Sequence, residues 1–174
     1  SNLSSTRALR EVTENLGGKY FASAVGEVNV VEMMKKQNAV IGGEGNGGVI
    51  YPELHYGRDA LVGIALFLSY LAKAKLSCSE LRETYPDYSM SKNKIMLSPG
   101  LDVDQILETV RKTYSEFPVN SADGVKIDFE SGWVHLRKSN TEPIIRVYAE
   151  GVDANEADRL ANILLKDINS LMNA

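Results

Sequence analysis

Apolar positions in the first half of this chain shift repeatedly between helical and strand spacing, the pattern of an α/β layer. Ser4 or Ser5 is placed to cap a helix running to about Leu16, closed by Gly17-Gly18. Residues 19–22 then read as a short strand, and 28–36 as a helix stopped by Asn38. Ala39-Val40-Ile41 is a brief apolar strand that enters a glycine-rich loop, residues 42–48. Val49-Ile50-Tyr51-Pro52 continues as extended chain. Asp59 caps an apolar helix, expected to be buried on most sides, and Ser77 with Glu80 forms a capping box for another. This alternation predicts a mainly parallel, three-layer sheet. About three short strands are too few for such a sheet to cover itself, so we expect the chain to start partway through a domain.

The pattern changes near Tyr85-Pro86-Asp87-Tyr88. Residues 92–97 suggest a strand, and Asp102 with Gln105 caps a helix with Val103, Ile106, Leu107, Val110 and Tyr114 along one face. Val125, Ile127 and Phe129 alternate with Lys126 and Asp128, a half-exposed strand. Two more strands follow, Trp133-Val134-His135-Leu136 and Ile144-Ile145-Arg146-Val147-Tyr148. The last element is an amphipathic helix with Asp153 and Glu156 at its start and Leu160, Ile163, Leu164, Ile168 and Leu171 facing inward. The order β-α-β-β-β-α predicts an α+β unit, a mainly antiparallel sheet with helices on one face. We therefore divide the chain into an α/β domain, 1–87, and a smaller α+β domain, 88–174.

Composition narrows the function. The 174 residues, 44% of them hydrophobic, suffice for one ordinary domain or two small ones. A formal charge of -4 disfavours general nucleic-acid binding, and the strands of the second unit lack the aromatic pairs that stack bases. The single cysteine, Cys78, closes no internal disulfide and reads as a small buried residue in a reducing compartment. The apolar run 60–72 is shorter than the roughly 20 residues that span a bilayer, and no secretory signal pattern is visible. A cytoplasmic protein is expected. The leading Ser1-Asn2 is open to reading as an appended dipeptide.

Two polar segments carry the chemistry. Arg137-Lys138-Ser139-Asn140-Thr141-Glu142-Pro143 joins two strands and gathers two cations with three short hydroxyl or amide side chains. An arginine fork suits a phosphate dianion, and Ser, Asn and Thr can complete its shell. Gly42-Gly43-Glu44-Gly45-Asn46-Gly47-Gly48 matches the dinucleotide pattern G-x-G-x-x-G by letter, but extended chain follows where that pattern needs a helix. Glu44 would also set a carboxylate beside a pyrophosphate. Instead the glycines permit close backbone approach, and Glu44 and Asn46 offer an acceptor and an amide suited to sugar hydroxyls. A flexible turn with a solvated Glu44 fits the spacing equally well. His55 and His135 both read as structural.

The loop 137–143 resembles the Arg-x-Ser-Asn-Thr-Glu-Pro signature of the α-D-phosphohexomutase family, which includes phosphoglucomutases, phosphomannomutases and phosphoglucosamine mutases. The glycine loop is similar to that family's Gly-Glu-x-Ser-Gly sugar-binding loop. Val25-Gly26-Glu27-Val28-Asn29-Val30 and Tyr56-Gly57-Arg58-Asp59-Ala60 resemble flanking stretches, in the right order. The resemblance implies the back half of a four-domain isomerase, with 1–87 as a partial third domain and 88–174 as the fourth. It implies sugar-hydroxyl binding by Glu44 and Asn46, where the family usually has Ser, with Gly45 and Gly47 shaping the loop. It implies a grip by Arg137, Ser139, Asn140 and Thr141 on the phosphate that is not being transferred. In the family a phosphoserine passes its phosphoryl group to the substrate, and the bisphosphorylated sugar intermediate turns over and returns the other phosphate.

No Thr-Ala-Ser-His-Asn-Pro-like phosphoserine loop and no Asp-x-Asp-x-Asp loop for Mg²⁺ occurs in these residues. The expectation is therefore a piece without catalytic or metal-binding residues of its own, partnered by phosphosugar and by the N-terminal domains of the same protein, with no nucleic-acid or membrane partner. Ser4-Ser5-Thr6-Arg7 lies in a helix-cap context and is given no nucleophile role. Where several members carry a His after the glycine loop, this chain has Gly48. The competing expectation is a stand-alone phosphosugar or anion-binding module without catalysis.

Overall fold

Thr6, not Ser4 or Ser5, caps the first helix, its side chain accepting from Ala8 N at 3.2 Å. Asn2 has already engaged both serines: its Oδ1 accepts from Ser4 N at 3.0 Å and from Ser5 Oγ at 3.2 Å. The computed structural model describes residues 1–98, 100–139 and 141–172. It divides into two units, Ser1–Pro86 and Asp87–Ala174.

The first unit contains α1 (Arg7–Asn15), α2 (Glu27–Gln37), β1 (Gly42–Gly43), β2 (Val49–Ile50), α3 (Ala60–Ala74) and α4 (Cys78–Glu83). α2 stops where Asn38 turns left-handed at φ 52°. Asp59 caps α3 through Val62 N, and the Ser77–Glu80 capping box closes in both directions. Two expected strands do not form. Residues 19–22 lie in no strand, the parallel bridge to Asn2 falling one position later at Ser23, and Ala39-Val40-Ile41 lies outside any strand. A strand needs a partner for its ladder, and here the pairing begins at the glycines. β1 and β2 run antiparallel with Gly42 opposite Ile50 and Gly43 opposite Val49, so the glycine loop is the tip of a hairpin. Val30 and Met34 of α2 pack with Ile50 as a small core. A Cβ at Gly42 would lie 2.1 Å from Met34 Sδ, so glycine there lets α2 seat on the ribbon.

The apolar helix α3 is not buried as expected: none of its residues is fully covered, and Leu61 is 78% exposed. Within this unit α3 meets the two-residue β2, with Gly63 against Val49. Cys78 is likewise exposed, at the first position of α4, instead of filling a core. Among the described residues, no helix is long and apolar enough to cross a membrane.

The second unit runs β3 (Ser89–Met96), α5 (Val103–Thr113), β4 (Val119–Asn120), β5 (Val125–Phe129), β6 (Gly132–Lys138), β7 (Ile144–Gly151) and α6 (Ala154–Met172). The sheet order is β3-β7-β6-β5-β4, antiparallel throughout. β4 was not expected, because two residues after Pro118 are too short to show alternation. Val125, Ile127, Val134, Leu136, Ile145, Val147 and Ala149 alternate onto one face of the sheet. They meet Val103, Ile106 and Val110 of α5 and Leu160, Leu164 and Ile168 of α6. Each such side chain, fully buried, is worth roughly 1.5–3 kcal/mol. The caps at Asp102 and Asp153 form, accepting from Gln105 N and Glu156 N. Leu171 departs from the expected stripe and is exposed, and Met172 packs on the core instead.

Gly132 shows how tightly β6 and β7 meet. A Cβ there would lie 1.9 Å from the Glu150 carbonyl oxygen and 2.7 Å from Leu160 Cδ1. The backbone atom cannot move aside without breaking the ladder, so Gly132→Ala is expected to destabilise this unit by about 3 kcal/mol. Chemical denaturation followed by Trp133 fluorescence measures it, and a loss below about 1 kcal/mol would contradict this packing.

Candidate functional site

Register places the polar loop of the second unit before any contact is considered. β6 and β7 pair so that Arg137 stands directly opposite Arg146, and Lys94 of β3 stands opposite Arg146 on its other side. Three cations therefore form one row across three strands. Like charges directly opposite are unfavourable unless something negative compensates them. Glu142 does so in part, its Oε2 accepting from Arg146 Nη2 at 2.8 Å. Arg137 is half-buried, and its Nε is buried with no hydrogen-bond partner among the described residues. Such a donor is costly to leave unpaired and is matched by an arriving anion.

The connecting loop is closed by Ser139 N donating to Ile144 O at 3.0 Å and Ile144 N donating to Glu142 O at 2.8 Å. Ser139 is buried and its amide is thereby occupied, which leaves its hydroxyl as the group to offer a ligand. Thr141 is exposed beside it. Asn140 lies outside the described residues. Arg146 was missed as a site residue because it sits within an apolar strand. The signal for it was hairpin symmetry: strands flanking a five-residue loop set 137 opposite 146.

Behind the row, Trp133 and Glu150 face each other across the same two strands and share a 2.7 Å bond from Nε1 to Oε1. Lys126, expected on a half-exposed strand, is instead buried with its ammonium 4.1 Å from the Trp133 ring centroid. Cation–π attraction compensates for that burial. His135 is buried between these groups, its Nε2 2.7 Å from the Asp123 carbonyl oxygen.

In the first unit the hairpin tip holds Glu44, Gly45, Asn46 and Gly47. Glu44 N donates to Gly48 O and Gly47 N to Glu44 O, while Gly47 takes φ 88°. Asn46 Oδ1 accepts from Gly48 N at 3.0 Å, so its amide nitrogen is the outward donor. The Glu44 side chain is 8% exposed. Its Oε1 accepts from Asn2 Nδ2 at 3.0 Å, and its Oε2 lies 3.9 Å from Arg58 Nη1. A carboxylate offers about four lone-pair positions, so acceptor capacity remains. Asn2 is buried and holds the carboxylate. A contact spanning 42 residues leaves no local signal for sequence reasoning to find.

Arg58 is the second missed residue. Its Nε and backbone N donate to the two oxygens of Glu27 at 2.8 and 3.1 Å. His55, by contrast, bonds Asp59 at 3.1 Å beside the helix cap, and its neighbour's carboxyl is held low by the Val62 amide and by His55. A cavity of about 640 Å³ also borders Glu44, but Phe21, Val30, Met34 and Ile41 make it largely apolar and unsuited to hydroxyl groups. Among the described residues, no group of three or more His, Cys, Asp or Glu could hold a metal ion.

Comparison with known proteins bears on both hairpins. Residues 1–88 match the family model "Phosphoglucomutase/phosphomannomutase, alpha/beta/alpha domain III", and residues 92–166 match "Phosphoglucomutase/phosphomannomutase, C-terminal domain". A phosphoglucosamine/phosphogalactosamine mutase of Sulfurisphaera tokodaii is 42% identical over 82% of this chain and 32% of its own length. A phosphoglucomutase/phosphomannomutase of Thermococcus kodakarensis is 31% identical over 95% of the chain and 36% of its own. The crystal structure of a phosphoglucomutase/phosphomannomutase family protein from Burkholderia thailandensis shares the fold. It has a TM-score of 0.76 at 21% identity, covering 95% of this chain and 35% of that one. The chain thus spans about a third of the length of these relatives.

Proposed function

The chain belongs to the phosphoglucomutase/phosphomannomutase family, and from that premise we propose that it supplies the sugar and distal-phosphate grips of a hexose-phosphate mutase. In this reading domain 1–87 binds ring hydroxyls through Glu44 and Asn46, with Gly45 and Gly47 setting the tip. Domain 88–174 grips a phosphate through Arg137 and the side chains of Ser139, Asn140 and Thr141, with Arg146 as a second guanidinium. The Arg137–Arg146 pairing across β6 and β7 carries the proposal, since it concentrates charge that an anion would relieve. Glu142 competes for Arg146 and would yield to a dianion.

The grip holds whichever phosphate is not reacting, so one site serves both directions of a 1-to-6 transfer. A phosphoserine, a magnesium ion and the bisphosphorylated sugar would belong to the rest of the protein, and this chain alone is expected to be inactive. The alternative, a phosphosugar-binding module without catalysis, shares the loops but needs no further domains.

An amide NMR titration with glucose 1-phosphate, using inorganic phosphate as control, tests the reading. We expect glucose 1-phosphate to shift both Ser139–Thr141 and Glu44–Gly47, and inorganic phosphate to shift the former alone. Shifts confined to the phosphate loop would favour a simple anion binder. Absence of any shift would overturn the assignment of both loops.

A further inference from the structure

Arg58 occupies the space that a side chain at position 48 would need. A Cβ on Gly48 would lie 2.6 Å from Arg58 Cδ and 3.0 Å from Cγ, so the stem of Arg58 lies across this glycine. Two features fix that path. The backbone at Arg58 bridges Ile50 of the hairpin, and Asp59 N donates to Val49 O at 2.8 Å. Glu27, at the first turn of α2, then takes both Arg58 Nε and its backbone N.

That grip decides where the remaining donors point. Nε is consumed by Glu27, while among the described residues neither Nη makes a hydrogen bond. Nη1 lies 3.9 Å from Glu44 Oε2, an ion-pair distance too long for a hydrogen bond. Glu44 is 8% exposed and Arg58 48% exposed, so acceptor and donor stand side by side with the donor open to solvent. A guanidinium and a carboxylate so placed suit two neighbouring ring oxygens of a sugar, one accepting and one donating.

We infer that Arg58 is a substrate-contacting residue of the sugar loop, its Nη groups donating to a ring oxygen adjacent to the hydroxyl held by Glu44. Glu27 acts as the positioning residue. Gly48 is required because any side chain there would displace the guanidinium stem. The inference rests on the sugar-site reading above and deepens it.

The test is the same titration with glucose 1-phosphate, on the parent chain, Arg58→Gln and Gly48→Ala, with the Arg58 Nε–H resonance followed alongside the amides. In the parent, sugar phosphate should shift Gly47, Gly48 and the Arg58 side chain. Arg58→Gln should weaken the response of the Glu44–Gly48 amides about tenfold, the loss of one charge-assisted bond. Its response to inorganic phosphate at Ser139 and Thr141 should be unchanged. Gly48→Ala should show a similar loss with the Arg58 resonance displaced even before ligand is added. A parent whose loop responds normally, with Arg58→Gln binding equally well, would reduce the Glu27–Arg58 pair to a structural salt bridge and overturn the inference alone. A parent loop silent to sugar phosphate would overturn the sugar-site reading and this inference with it.

Discussion

Arg137→Ala is expected to weaken phosphate binding about thirtyfold, equivalent to roughly 2 kcal/mol, while changing stability by less than about 1 kcal/mol. The two effects separate because Arg137 contributes little to the resting fold that is favourable. It faces Arg146 across the strand pair, and its Nε is buried with no partner among the described residues. Removing it relieves a like-charge contact and an unmet donor, at the cost of packing from its aliphatic stem. Arg146→Ala should cost less affinity, because Glu142 already competes for that guanidinium and an incoming anion must displace it. Isothermal titration with inorganic phosphate, paired with chemical denaturation, would measure both quantities. Equal affinity in Arg137→Ala and parent would remove the phosphate-grip assignment. A large stability loss with the affinity change would mean that Arg137 is a structural residue.

Local chemistry was mostly legible in the sequence where cause and effect lie within one turn or one strand, the first helix being the exception, capped by Thr6 and not by Ser4 or Ser5. Asp59, Ser77, Asp102 and Asp153 each place an oxygen three residues before a free amide, and each cap forms. The alternation in β5, β6 and β7 and the stripes of α5 and α6 likewise follow from periods that packing must respect. What the sequence did not disclose depends on partners distant along the chain. Residues 19–22 and 39–41 have strand-like composition but find almost no ladder, whereas Gly42 and Gly43, poor strand formers, pair because the hairpin register puts Ile50 and Val49 opposite them.

The two polar loops divide in the same way. The donor-rich loop is visible as five consecutive residues, but its second guanidinium emerges only when β6 and β7 are registered against each other. Glu44 stands out among glycines by composition alone. Its neighbours Asn2 and Arg58 do not, since they reach it from a preceding segment and from the α3 cap region. Spacing alone left Glu44 equally readable as a ligand acceptor and as a solvated turn residue; its side chain is in fact held on both sides, and this is a precondition for selecting a ligand orientation.

The second large expectation concerns acid. His135 sits in the sheet opposite Lys126 on one side and Tyr148 on the other, and is 1% exposed. Burial is the main reason its pKa falls to about 4; the Asp123 carbonyl and carboxylate oppose that, and Lys126 and Arg137 reinforce it. The folded protein therefore keeps this imidazole neutral at pH values where the unfolded chain, near 6.5, takes up a proton. Because the folded pKa is depressed, stability is fully present above about 6.5 and drains away as pH falls toward about 4. The loss should reach about 2 kcal/mol by pH 5. Glu108 and Glu156, held near 2 by Arg111 and by Arg159 with Ser131, lose their contributions only at lower pH, so they do not blur this window. The chain has one tryptophan, Trp133, and it lies in the same sheet, so its fluorescence reports the unfolding of this unit. Denaturant midpoints measured from pH 7.5 to 5 should fall for the parent and stay nearly level for His135→Gln, whose amide can still donate to the Asp123 carbonyl. Parallel slopes in the two proteins would show that His135 does not carry the acid sensitivity of this domain.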